Sequence, residues 1–341
     1  MLTRRDLLGG TSLALAGRPT LAGGLPALSN PRASQTAHRL YRYLWSLYGR
    51  QTLTGQQEQN FRHDSGGHEL AYLKRTTGRQ PALLGFDYLD PRDNSAVNAR
   101  AIAWSRAGGV VSICWHWGAP DIGPGYDNAK KDFDLEAALR PGTPQHRVMM
   151  RDIDEVAGLL AHLRDAGVPV LWRPLHEFSG DWFWWGKHGA ERFKALWGLM
   201  YRRFCEVHHL DNLIWVLGWA GQNVDADWYP GRAMVDVAGA DLYASDHGPL
   251  SSMFAAVKAI VADSVPICLH ENGPIPDPDL LGPTADWVWF MTWHTRWLTD
   301  PTQNPPDLLR RYFASDRYVT KDELPAWLQT RGTRERAARK A

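Results

Sequence analysis

The sequence predicts an α/β fold, a single (β/α)8 TIM barrel, and three observations carry that expectation. Short apolar runs alternate with helix-patterned segments along most of the chain. Eight such runs can be counted; alternating units imply a parallel sheet, and eight of them a closed one. The length of 341 residues suits one barrel, a fold that commonly takes about 250 residues or more as one domain. No GxGxxG or GxxxxGK[ST] run follows an early strand, as an open doubly wound nucleotide-binding sheet would want.

The strands are expected at residues 52–56, 82–88, 110–117, 169–177, 213–219, 235–243, 266–271 and 287–293. The third is rich in β-branched and aromatic residues, as strands are. Helices are expected over 96–107, 153–166, 190–206, 253–261 and 308–313. The clearest is 153–166, where Val156, Leu159, Leu160 and Leu163 fall at helical spacing and Gly167 ends the pattern. A long polar loop rich in Gly and Pro is expected over 119–145, and helical signal is weakest after the fifth and seventh strands.

Three segments are expected. Residues 1–30 read as an export signal: Arg4-Arg5 precede an apolar stretch through Leu13, Leu15 and Leu21, and Thr20-Leu21-Ala22 offers a small-residue cleavage site. The paired arginines match the twin-arginine type, and the stretch is too short and too interrupted by glycine to span a membrane. Residues 31–325 form the barrel, and 326–341 a basic tail without regular structure. The mature protein is expected in the periplasm or the medium.

Lys+Arg total 38 and Asp+Glu 37, so no net field draws nucleic acid or an anionic membrane, and a neutral partner is expected. There are 17 tryptophans, and seven of them cluster, at 182–185 and again at 287–297. Any one of them could be core, but as a group they suggest a carbohydrate cleft, because the apolar face of a sugar ring lies flat on an aromatic ring. Cys114, Cys205 and Cys268 form no disulfide framework and no close Cys/His set. No cofactor and no metal is expected: His176-Glu177, His208-His209 and His270-Glu271 lack the His-x-His spacing of a metal-dependent barrel hydrolase.

In a parallel barrel the site lies at the C-terminal strand ends. Glu177 ends the fourth predicted strand and Glu271 the seventh. Carboxylates are rarely buried unless paired, so two at such positions call for a reason. Salt bridges to Arg173 or Arg296 are the structural alternative. The functional one is glycoside hydrolysis, which needs two carboxyl groups facing across a cleft, about 5–5.5 Å apart for retention and about 6.5–9.5 Å for inversion. Asp87 and Asp241 end other strands and are the competing carboxylates.

The run from Trp172 to Gly186, Trp-Arg-Pro-Leu-His-Glu-Phe-Ser-Gly-Asp-Trp-Phe-Trp-Trp-Gly, resembles the acid/base motif of family 26 glycoside hydrolases, mostly endo-β-1,4-mannanases. The Trp115-His116-Trp117, Gly239–Tyr243 and Trp293-His294 strand ends are similar too, and the resemblance spans about residues 40–315. It implies that Glu177 is the acid/base and Glu271 the nucleophile of a retaining double displacement on mannan or galactomannan. It implies that His176 orients groups next to the cut and that Tyr243 hydrogen-bonds the nucleophile. Trp182 and Trp293 would be platforms around the scissile linkage, and His116 and Trp117 would contact sugar on the non-reducing side. The sequence leaves open a β-1,3-1,4-glucanase or xylanase on the same scaffold, and an inactive carbohydrate-binding barrel.

Overall fold

The computed structural model describes residues 27–59, 67–282 and 284–328, so most of the expected export signal (1–30) and of the expected basic tail (326–341) lies outside the described residues. Eight parallel strands close into a barrel in chain order: β1 (Gly55–Gln57), β2 (Leu83–Asp87), β3 (Val110–Trp115), β4 (Val170–Pro174), β5 (Leu213–Ala220), β6 (Val237–Leu242), β7 (Ile267–Asn272) and β8 (Phe290–Thr292). All eight predicted strands are present. Closure is made by Gln56 of β1 pairing with Thr292 of β8.

Side chains alternate across each strand, so every second residue faces the barrel interior. Read upward, the inward faces change from apolar to small to polar. On β2 the series is Leu83, Gly85, Asp87; on β3 it is Val110, Ser112, Cys114 and then His116; on β6 it is Val237, Gly239, Asp241. The lower residues Leu83, Val110, Leu171, Ile214 and Val237 form one apolar cluster. Helix α1 (Gln35–Leu47) covers it from below with Leu40, Tyr41, Leu44 and Leu47. Leu28 and Leu328 pack into the same cluster, so the ordered barrel reaches a few residues past 31 and 325. The other faces of the strands pack on the surrounding helices in a second, larger core.

Those helices are α2 (His68–Thr77), α3 (Asn94–Arg106), α4 (Pro144–Asp165), α5 (Ala190–Arg202), α6 (Ser251–Val261) and α7 (Pro306–Phe313). Helix α4 begins nine residues before the predicted 153. Its start is set by Thr143, whose hydroxyl accepts the backbone N–H of His146 at 3.0 Å, with Pro144 in the first turn. The stretch 119–145 is not one loop, for it holds short helices at Tyr126–Ala129 and Leu135–Ala138. After β5 there are only single 3-10 turns (Ala226–Trp228, Arg232–Met234), which explains the weak helical signal there. No helix among the described residues is long and apolar enough to cross a membrane.

The tryptophan clusters are mostly core. Trp184, Trp185, Trp287 and Trp289 are fully buried, whereas Trp182 and Trp293 are half-exposed. All three cysteines are buried free thiols.

Candidate active site

Glu177 does not end β4. The strand stops at Pro174, and the chain then turns through Leu175 and Glu177, both at φ 52°. Non-glycine residues avoid this region, so the turn is held by its neighbours. Glu177 donates its backbone N–H to the Gly218 carbonyl at 2.8 Å. Trp185 donates its indole N–H to the His176 carbonyl at 2.8 Å. Trp184 does the same for the Trp117 carbonyl, also at 2.8 Å. These two buried tryptophans clamp the backbone at His176 and at Trp117.

Glu271 lies near the end of β7, where the register shifts against both neighbouring strands. A bulge re-aims side chains. Here it lets two consecutive residues, His270 and Glu271, both reach Arg173 of β4. His270 fits inside the barrel because position 218 is glycine; a Cβ there would lie 2.3 Å from the imidazole. Glu271 forms a short ion pair with Arg173 and accepts the Tyr243 hydroxyl at 2.7 Å. The carboxyl of Glu177 accepts the Trp182 indole N–H at 2.8 Å. Oxygen atoms of Glu177, Glu271 and Asp241 lie within 4.8 Å of one another.

The two glutamates are therefore treated differently. Burial, then the negative charges of Glu271 and Asp241, push the Glu177 pKa up to about 9, against the pull of Trp182 and Arg173. Burial also raises Glu271, but Arg173 and Tyr243 oppose it by stabilising the ionised form. Of the pair, Glu177 is the carboxyl favoured to keep its proton, and Glu271 the one paired with a cation.

Asp241 and Asp87 are committed elsewhere. Asp241 is buried, with an oxygen 2.6 Å from His270 Nδ1 and the other 3.5 Å from Arg173, and burial lifts its pKa to about 7. Asp87 holds His116 through both the backbone N–H at 3.1 Å and Nδ1 at 2.5 Å. His116 Nε2 meets His176 Nε2 at 3.1 Å, and the latter lies 3.7 Å from Glu271. Burial, then the charges of His116 and Arg173, hold His176 well below the usual imidazole range, so it is neutral. A cation among the three carboxyls would compete with Arg173 for Glu271, and the guanidinium already supplies that charge. Asp87, Cys114 and His116 also approach one another, but burial raises the Cys114 thiol, which disfavours the thiolate a metal needs.

His116, His176, Trp182, Tyr243 and Trp293 thus gather around the two glutamates; His116 has its ring 5.9 Å from Trp293. Trp117 is set back from the glutamates: it is buried, stacks on Trp115 at 4.1 Å, donates to Asp152 at 2.9 Å, and with His116 lines a cavity of about 600 Å³ beside α3 and α4. Sequence reading did not foresee the clamping roles of Trp184 and Trp185, since the direction of an indole N–H leaves no trace in a pattern.

A parallel barrel with one protonated and one charge-stabilised carboxyl facing each other at its mouth is the class of site that glycoside hydrolysis uses. Residues 29–323 match the sequence profile of Glycosyl hydrolase family 26, and the chain belongs to that family. It is 38% identical over 319 residues to a mannan endo-1,4-beta-mannosidase of Thermothelomyces thermophilus, covering 88% of this chain and 64% of that protein. Its fold superposes on a Podospora anserina GH26-CBM35 beta-(1,4)-mannanase with a TM-score of 0.82 at 38% identity, over 92% of this chain and 72% of that one. A beta-mannanase from a symbiotic protist of the termite Reticulitermes speratus, complexed with gluco-manno-oligosaccharide, gives a TM-score of 0.82 at 32% identity, over 88% and 98%. The chain spans between 51% and 64% of the length of the first curated relatives it matches.

Proposed function

We propose that this chain is a retaining β-mannanase that cleaves β-1,4-mannosidic linkages in mannan or galactomannan, with Glu177 as acid/base and Glu271 as nucleophile. The observation that carries the mechanism is the approach of the two carboxyls to within 4.8 Å, and the raised pKa of Glu177 agrees with it as the acid. That spacing suits direct attack, since inversion needs about 6.5–9.5 Å to admit a water between carboxylate and sugar. The mannan specificity is supported by the activities named for the relatives above.

The steps follow from the charges. Glu177 gives its proton to the glycosidic oxygen as the bond to the anomeric carbon breaks, and a Glu271 oxygen bonds to that carbon. Trp182 steadies the Glu177 carboxyl, and Tyr243 and Arg173 hold Glu271 aligned and ionised until it attacks. Forming the ester removes the negative charge of Glu271, one of the charges that push up the Glu177 pKa. The Glu177 pKa then falls, and its carboxylate takes a proton from water as the water oxygen displaces Glu271. Two inversions leave the β configuration. Trp293 and Trp182 serve as sugar platforms, and His116 and His176 as polar contacts at the same subsites. The protein is exported before it acts, by way of residues 1–30.

The test is reducing-end release from galactomannan, xylan and barley β-glucan by the protein without its first 26 residues, which keeps the packed Leu28 and Ser29, beside Glu177→Ala and Glu271→Ala. Release from galactomannan alone, abolished in both variants, is the expected result. Release from xylan or β-glucan instead would keep the mechanism and replace the substrate. A folded protein inert on all three would overturn the proposal in favour of a binding barrel.

A further inference from the structure

The loop after β8 carries Trp293 into the mouth and, one turn later, sets Trp297 against Tyr243 with ring centroids 4.6 Å apart. Between the two tryptophans the chain passes through Thr295 at φ 51° and ψ −120°. A β-branched residue avoids positive φ, so its surroundings must hold it there. The holder is Glu69, in the first turn of α2. Glu69 is fully buried. One carboxyl oxygen accepts the backbone N–H of Thr295 at 3.0 Å, and the other that of Gln59 at 3.4 Å. Both bonds leave its own helix and end on segments that follow β8 and β1, which are neighbours where the barrel closes. Gln56 of β1 ties the same corner by donating to the Trp293 carbonyl at 3.3 Å.

We propose that Glu69 is a positioning residue for the cleft: its carboxyl fixes the turn at Thr295, and through it the pose of Trp293 over the sugar path. The inference rests on the reading of that cleft as a saccharide site. Glu69 itself touches no reacting group; it acts through the backbone between two aromatic side chains. Without an acceptor at this point the Thr295 N–H loses its partner, the strained turn relaxes, and Trp293 loses its fixed orientation.

Glu69→Met keeps the side-chain volume and removes the acceptor, while Glu69→Gln keeps one acceptor oxygen, enough for Thr295. In steady-state hydrolysis of a manno-oligosaccharide, Glu69→Met should raise KM about tenfold with kcat within about threefold, the signature of lost binding. Glu69→Gln should stay within about threefold of wild type in both. In a Trp293→Ala background, Glu69→Met should change KM by less than about twofold, because the platform it positions is gone. Equal impairment by Met and Gln, or a full tenfold effect added to Trp293→Ala, would overturn the proposal. A second readout does not depend on turnover. The Trp293 indole N–H resonance, identified by its loss in Trp293→Ala, should shift in Glu69→Met and not in Glu69→Gln. An unshifted resonance in Glu69→Met defeats the inference whatever the protein hydrolyses, whereas a shift in a protein inert on mannan defeats only the functional reading. Glu69→Asp, one methylene too short to reach Thr295, gives the same readouts should the Met variant not fold.

Discussion

Replacing Glu177 by glutamine should stabilise the protein near neutral pH while removing its activity. Glutamine keeps the shape and an acceptor for the Trp182 indole N–H, but it cannot ionise. In the folded protein the Glu177 proton is held up to about pH 9, from an ordinary value of 4.5. The unfolded chain releases that proton as pH rises through 4.5, so between 4.5 and 9 the unfolded state binds fewer protons and stability declines with pH. The loss is absent below pH 4.5, grows through the window, and levels off above 9. At pH 7 the interval is 2.5 pH units, and at about 1.4 kcal/mol per unit it comes to roughly 3 kcal/mol as an upper limit. For a domain of this size that corresponds to about 6 °C in Tm. Thermal and urea unfolding of wild type and Glu177→Gln at pH 4, 5, 6, 7 and 8 measure it. The curves should meet at pH 4 and separate steadily above pH 5, with the variant the more stable. Parallel curves from pH 4 to 8 would refute the claim that the barrel mouth forces a proton onto Glu177.

Other outcomes follow from the same geometry. With Glu177 as the proposed acid, kcat/KM should fall on the alkaline side with a limb no higher than about 9, read from a pH–rate profile. Tyr243→Phe deletes the hydroxyl bonded to Glu271 and should lower kcat about tenfold to a hundredfold, the worth of a hydrogen bond to a charged group, with Tm little changed. Arg173→Met leaves buried Glu271 and Asp241 without their cation and should destabilise the fold by about 3–5 kcal/mol in urea unfolding.

The barrel was legible because parallel strands are buried on both faces and so appear as near-continuous apolar runs. Arg173 was visible as a lone charge inside such a run, and Glu177 and Glu271 as carboxylates near strand ends. Other features leave no signal of that kind. The first turn of α4, residues 144–147, is polar, and its beginning at Pro144 is set by the Thr143 cap rather than by the apolar period that runs from Met149. The bulge in β7 adds one residue to a strand whose composition is unchanged, yet it is what brings both His270 and Glu271 to Arg173. Trp184 and Trp185 counted, with the rest of their cluster, toward a carbohydrate cleft, because sequence shows ring type but not burial. Glu69 sits in a first helical turn, where an acidic residue is expected for the helix dipole alone, and its long reach to Thr295 exists only in three dimensions.

The central claim is that Glu271 attacks the sugar directly while Glu177 serves first as acid and then as base. The measurement that reaches it most directly is proton NMR of the anomeric region during the first minutes of manno-oligosaccharide hydrolysis, before mutarotation mixes the products. The β-anomer should form first and the α-anomer appear only later, with neither formed by Glu271→Ala. First release of the α-anomer would mean a single displacement by water, and the assignment of Glu271 as nucleophile would be wrong.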